Sequence, residues 1–526
     1  MGLPFFKSRM DNTASNNRIA KNTLFLYFRM ILTMAISLYT SRIVLQVLGV
    51  TDYGIYNVVG GVVTMFSFLN GAMITSTQRY ITYYLGIGNH TKLCDVFTTC
   101  VQIHAVISLV VVLLAETAGL WFLYTQMVIP ASRFTASLWV FHLSVATMVV
   151  QIMSVPYNSA IIAHEQMGAF AYISILEVTL KLFIVYLLTI GSMDKLVLYA
   201  ILTAVIQFFI RYIYTNYCLS HFSECKLRRT WNFPLFKEIG SFAGWNLWGN
   251  LAGTLMGQGL NLLLNVFFGP VVNAARGIAQ QVEMALTQFS SNFLMAVNPQ
   301  ITKTYARSEH ENMHRLIFRA CKFSYFLLFL LSLPIMLEAE TILRIWLKTP
   351  PENTAIFLRL ALAIVLVDTL ARPLMTAAAA TGKVKLYQSV VGGILLLIVP
   401  TAYVVLKLGG SPASVYVVHF FVAGIAFIAR LFIIRPMISL CLAEYFRKTI
   451  LPVCCVTLIT LPFPLLLKAM LSANTTTSFA VIVACMASAG IATFCVGLNY
   501  NERIFVTEKI SSILAKMKTA GGNGKN

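Results

Sequence analysis

The sequence predicts an all-α polytopic membrane protein with about fourteen transmembrane helices. Three observations predict it. Apolar stretches of roughly 20 residues, the length at which a helix rising 1.5 Å per residue crosses a ~30 Å hydrocarbon layer, recur from about residue 23 to about residue 498. The 526 residues are 58% hydrophobic and 11% charged, with a mean hydropathy of +0.77, whereas soluble domains carry about 25% charged residues. The basic residues gather in alternate short tracts between the apolar stretches, as expected of loops on one side of a membrane.

Taken in order, the spans read as 23–47, 55–77, 96–121, 137–158, 169–190, 196–217, 240–266, 272–298, 320–340, 355–378, 384–406, 411–434, 449–468 and 475–498. With the N-terminus inside, roughly 25 Lys and Arg fall in inner segments and roughly 6 in outer loops, so both termini are expected in the cytoplasm. The inner set includes Arg18, Lys226, Arg228, Arg229, Lys303, Arg307 and Lys322; the outer set is Arg133, Lys195, Arg344, Lys348, Lys407 and Lys468. Residues 1–22 are polar and basic, without an apolar core and cleavage site, so the first span is expected to stay as an anchor. The net charge of +20 is thereby explained by membrane orientation, and no nucleic-acid partner is expected.

The chain also resembles itself. Residues 41–98 lie over 261–318 at a constant displacement of 220 (Gly269 minus Gly49), matching Val62 with Val282, Ile81-Thr82 with Ile301-Thr302 and His90 with His310. Spans 1 and 7 both begin inside, so the repeat is parallel, an arrangement found in secondary transporters. The expected organisation is a cytoplasmic N-terminal segment (1–22), a six-helix bundle (23–217), a basic cytoplasmic linker (218–239), a second, pseudo-symmetric six-helix bundle (240–434) and two extra helices (435–498). A cytoplasmic tail (499–526) follows, whose apolar Ile504, Ile510, Ile513, Leu514 and Met517 and basic Lys509, Lys516 and Lys518 suit an interfacial helix.

Catalytic chemistry has no obvious seat. The ten cysteines follow no zinc-ligand spacing and read as packing residues; no metal and no cofactor is expected. No phosphate loop, HExxH or GxSxG motif is present, so the chain is not expected to be an enzyme, and any pumping would draw on an ion gradient, the membrane potential or the substrate gradient.

The runs RIAKNTLFLYFR, SRIVLQVLGVTDYGIYNVVGG and TSTQRYITYYLG resemble the opening of polysaccharide-biosynthesis (O-antigen/oligosaccharide) flippases, a branch of the multidrug/oligosaccharidyl-lipid/polysaccharide exporter superfamily. The sharp part of the resemblance is confined to the first 90 residues or so; hydropathy and span number extend it. It implies a transporter of the bacterial inner membrane that moves undecaprenyl-pyrophosphate-linked oligosaccharide outward during surface polysaccharide assembly. The implied partners are that lipid-linked substrate, membrane lipids and polysaccharide-assembly proteins.

Charges inside the spans are weighed independently of that resemblance. Arg29, Arg42, Lys181, Arg211, Arg276, Arg359, Arg372 and Arg430 outnumber Glu116, Glu177, Glu283 and Asp368. Guanidinium forks suit phosphate oxygens, and a hydrated, cation-lined cavity between two bundles would ease an anionic head across the membrane by alternating access. Arg29, Arg42 and Arg276 are the candidates for the head; for Arg29 and Arg42 the alternative is snorkelling to the interface. The polar stripe of Gln280, Gln281, Glu283, Gln288 and Asn292, with Asn250 and Asn261 on the preceding helix, is expected to meet sugar, close helix packing being the rival. Glu177 with Lys181 and Asp368 with Arg372 form i,i+4 pairs, read either as structural neutralisation or as an H⁺ or Na⁺ coupling site. Glu116 and Glu283, without an evident local partner, are alternative proton sites. A multidrug cation antiporter is the second functional reading, disfavoured by a first span with two arginines and no acid. A membrane polymerase or ligase is the third, disfavoured by short outer loops.

Overall fold

The computed structural model describes residues 4–64, 67–125, 129–190, 193–347, 349–470, 475–504 and 507; side chains are described from Arg18 onward, except at positions that include Arg42. The described residues are helical without strands, and twelve helices are long and apolar enough to cross a membrane. The polytopic all-α class read from composition is therefore correct.

Residues 4–64 are two helices separated at Gly49 (φ 78, ψ 167). We label residues 4–48 α1; α2 comprises residues 50–64 and Ser67–Ile87. Then follow α3 (His90–Thr125), α4 (Ala131–Ala163), α5 (Met167–Ile190), α6 (Lys195–His221), α7 (Phe233–Phe268) and α8 (Pro270–Ala306). After α9 (His310–Leu337) comes a short helix, Ala339–Leu347. The series ends with α10 (Thr354–Ala380), α11 (Lys385–Lys407), α12 (Ser414–Ile438), α13 (Leu442–Met470) and α14 (Thr476–Gly497). Hydropathy ends the second span at 77, yet α2 runs on to Ile87. Ser76, Thr77 and Arg79 are buried against protein there, so their polarity does not end the helix as contact with lipid would.

The helices fall into two compact units, one of residues 1–257, 291–316 and 375–396, the other of 258–290, 317–374 and 397–526. In the first, Tyr80, Ile81, Phe97, Tyr157, Ile161 and Ile210 form a continuous buried core that includes Val384 from the turn before α11. In the second, Phe357 stacks on Tyr416 at 4.9 Å, and Leu358, Leu362, Ile398 and Val415 are fully buried. All ten cysteines are free, and Cys94, Cys100, Cys218, Cys225, Cys321 and Cys485 are buried. The tail beyond Thr507, with most of its expected amphipathic face, lies outside the described residues. Its root is held where Glu502 accepts the ammonium of Lys322, a residue expected in a basic loop but nearly fully buried in α9.

The internal repeat has a backbone counterpart. Gly49 between α1 and α2 and Gly269 between α7 and α8 both take positive φ, 78° and 80°; Gly88 after α2 and Ser308 after α8 do so as well, at 77° and 60°. Each pair is separated by the same 220 positions that align the sequence (269 minus 49, 308 minus 88). Gly49 lies in a region of backbone space open essentially to glycine alone. Gly49→Ala should therefore cost about 1–3 kcal/mol. Gly424→Ala, in the middle of α12 with nothing near its added methyl, should be neutral or stabilising; unfolding in detergent compares the two.

Arg133 clamps the first turn of α4 to two other elements, donating to Asp52 at 2.8 Å and to Asp194 at 3.2 Å, while Asp194 also caps the backbone of Leu196 at 3.0 Å. The hydrogen bond from Arg133, opposed by partial desolvation and aided by the amides of Val197 and Leu196, holds the Asp194 carboxyl below the usual carboxylate range. A depressed folded-state pKa gives stability that is complete above the unfolded value and lost as pH falls through the folded one. Wild-type melting should thus fall faster below about pH 4 than that of Asp194→Asn, which lacks the titrating group.

Candidate functional site

In the first unit, Arg29 lies in a helix long and apolar enough to cross a membrane, and no acid pairs with it among the described residues. Arg29 on α1 is half-buried; its Nη2 donates to the Asn292 side-chain oxygen of α8 at 3.1 Å, and its guanidinium carbon lies 5.0 Å from the centre of the Phe170 ring. No carboxylate lies within ion-pair distance of it among the described residues. Arg29 Nε and the Asn292 amide nitrogen are both buried donors without an acceptor. An unsatisfied buried donor costs about 1–3 kcal/mol, and two side by side form an environment that favours an incoming oxygen-rich anion. Arg42 lies outside the described side chains.

Glu177 and Lys181 on α5 form their expected i,i+4 pair at 2.6 Å, and Gln207 of α6 adds a hydrogen bond to Glu177 at 2.8 Å. The carboxylate is thus doubly satisfied. Asn250 is exposed on α7; one turn away, buried Asn246 accepts from Gln388 at 3.0 Å.

The second unit gathers a mixed-charge group. Arg276 of α8, 4% exposed, donates to Asn261 of α7 and lies 5.6 Å from the Tyr416 ring, so these two candidates meet each other. Gln280, one turn on, is half-exposed. Glu283 is not isolated as its sequence surroundings suggest: Arg276, Arg372 and Asp368 all lie within its electrostatic reach. The Asp368 ion pair also differs from expectation. Its partner is Arg430 of α12 at 3.4 Å, a residue 62 positions away, while Arg372 lies in the field of both Asp368 and Glu283. Helical spacing brings Asp368 and Arg372 to one face, but the facing helix supplies the closer cation.

Glu116 likewise has a partner that its own helix could not reveal. It sits in the π-helical turn Ala115–Gly119 and meets His142 of α4 at 3.0 Å. A larger network, unforeseen in the sequence, surrounds Glu165 in the turn between α4 and α5. This buried carboxylate receives Arg18 of α1 at 2.7 Å, Lys303 of α8 at 2.6 Å and Gln300 at 2.5 Å, and its carbonyl accepts from Asn22 at 3.1 Å. An acid in a three-residue turn between two apolar helices is the hint the sequence holds. Among the described residues no cluster of His, Cys, Asp and Glu could hold a metal ion.

No protein-family model matches this sequence, and no curated protein is similar to it at a significant level. Solved structures do resemble it. A point mutant of a MATE protein superposes with a TM-score of 0.69 at 12% identity, covering 80% of this chain and 96% of the other. An outward-facing multidrug resistance MATE family transporter of the MOP superfamily gives 0.64 at 14% identity over 80% and 96%. A MOP superfamily transporter from Pyrococcus furiosus, whose binding pocket is described as of reverse polarity and suggesting a different function, gives 0.65 at 15% over 80% and 96%. At these identities the likeness establishes the fold: that of MATE and MOP superfamily transporters.

The Arg430 side chain is 7% exposed, so removing its acid strands a buried cation. Asp368→Asn should destabilise the protein by about 3 kcal/mol, and the double replacement Asp368→Leu with Arg430→Met should recover most of it. Thermal unfolding in detergent reads both variants.

Proposed function

We propose that this chain is a secondary transporter that flips a polyprenyl-pyrophosphate-linked oligosaccharide across the bacterial inner membrane, with both termini in the cytoplasm. The observation that carries this reading is the pair of unsatisfied donors, Arg29 Nε and Asn292 Nδ2, beside a guanidinium that no acid pairs with among the described residues. A cation substrate would be repelled there. A pyrophosphate offers acceptors of the complementary kind, and exposed Asn250 of the same unit offers an amide to the sugars. The similar solved structures support the fold and not the cargo, and one of them is described as having a binding pocket of reverse polarity.

The cycle needs no bound nucleotide. The polyprenyl tail stays in lipid while the charged head moves through a protein conformational change that exposes it first to one side and then to the other. Glu177, paired with Lys181 and bonded to Gln207, is well suited to structural neutralisation. The coupling site for H⁺ or Na⁺ in this reading is the Glu283–Asp368 group, where two carboxylates share three arginines.

One observation favours the multidrug-antiporter alternative: those same two acids in the second unit, on a fold shared with a multidrug resistance transporter. Replacement of Arg29 separates the readings. In liposomes carrying a fluorescent polyprenyl-pyrophosphate oligosaccharide, Arg29→Ala should slow flipping about tenfold or more at unchanged protein abundance, the loss of one charge-assisted contact, with Arg29→Lys intermediate. Equal flipping by wild type and Arg29→Ala would remove the residue from the pathway.

A further inference from the structure

A second cationic site lies away from Arg29, in the first unit. A cavity of about 410 Å³ opens between the end of α2, the first turns of α7 and the turn joining α10 to α11. That turn connects two membrane helices on the side that the lysine and arginine count assigns to the cytoplasm, so the cavity sits at headgroup depth.

Its inner wall is Arg79, buried to 9% exposure. Nη2 donates to the Ala380 carbonyl at 2.9 Å, and the guanidinium lies 4.3 Å from the Tyr80 ring centre and 5.5 Å from that of Phe242. Nε is buried with no acceptor, and no carboxylate pairs with Arg79 among the described residues. Gly382, at φ +77, makes room for this arrangement: a methyl group there would stand 2.8 Å from Arg79 Nη2. The turn itself is pinned by Thr381, which donates to the Ala378 carbonyl at 2.7 Å and accepts the Lys383 amide at 3.2 Å.

Two further cations stand at the rim. Lys383 and Lys385 are exposed, and the Lys385 ammonium lies 5.3 Å from the Trp245 ring. The lining's one acid, Glu238, accepts from the Tyr80 hydroxyl at 3.0 Å and stands against Arg79, Lys383 and Lys385, so positive charge is in excess. Buried guanidinium, flexible ammonium groups and a tryptophan at interfacial depth are what a phosphate ester attached to an apolar body requires.

We propose that this cavity binds the phosphate of an anionic lipid headgroup from the adjacent leaflet, drawing α2, α7 and the α10–α11 turn together. Arg79 and the two lysines bind the phosphate oxygens, and Trp245 packs on the glycerol and upper chain. This site is independent of the transported cargo: its loss should change lipid dependence and leave Arg29 untouched.

The test uses the full-length protein in neutral detergent, titrated with short-chain phosphatidylglycerol, short-chain phosphatidylcholine or inorganic phosphate, with bound lipid counted by native mass spectrometry and stability followed by melting. Phosphatidylglycerol should bind and raise the melting temperature, and phosphatidylcholine should do neither. The paired substitution Lys383→Gln with Lys385→Gln, both on the surface and safe for folding, should weaken phosphatidylglycerol binding at least tenfold. Lys226→Gln with Arg229→Gln, which removes equal charge from the α6–α7 linker, should leave it unchanged. Equal weakening by both pairs would reduce the effect to general surface charge and overturn the site. Inorganic phosphate matching the lipid in potency would overturn the lipid assignment in favour of a free anion.

Discussion

The cost of an ionised side chain at membrane depth governs this molecule. A cation at the centre of a span costs about 2.5–3.5 kcal/mol on insertion scales, so each must be compensated or used. Compensation takes three forms here. Lys181, Arg430, Lys322 and Arg359 are answered by Glu177, Asp368, Glu502 and Glu340. Arg276 is bedded on Asn261 and Tyr416 near a group of mixed charge. Arg211 has the Tyr157 ring, and Arg29 has an amide oxygen and an aromatic face; neither pairs with an acid among the described residues. Arg29, beside the unsatisfied amide of Asn292, gives the proposed transport reading its direction.

Much of the architecture is legible in the sequence because it is one-dimensional. The length of an apolar run fixes a span, and a glycine repeated at a constant displacement marks a repeated turn: Gly49 and Gly269 take nearly the same left-handed φ. The boundaries are less legible wherever polar residues face protein rather than lipid. The end of α2 is the clearest case, since Ser76 and Thr77 are polar by sequence and fully buried in fact. Strings of residues do not say which face meets a neighbour.

Partners across helices are the least legible. Spacing pairs Asp368 with Arg372 because they share a helix, but Arg430 arrives from α12; Glu116 looks solitary along its own span, but His142 arrives from α4. Glu165 collects donors from α1 and α8 that lie up to 147 positions away in one direction (165 minus 18) and 138 in the other (303 minus 165). Spacing rules reach one turn of helix, whereas these contacts are set by packing. Arg79 is inconspicuous in the sequence for the same reason: its significance comes from Gly382 and Ala380, some 300 residues away.

The central claim is that the membrane-depth charge of the first unit selects an anionic head. The most direct measurement is a competition within one population of reconstituted vesicles, following a fluorescent polyprenyl-pyrophosphate oligosaccharide and an organic cation dye side by side. The account predicts protein-dependent movement of the lipid pyrophosphate and none of the dye. Movement of the dye with the lipid left in its original leaflet would contradict it.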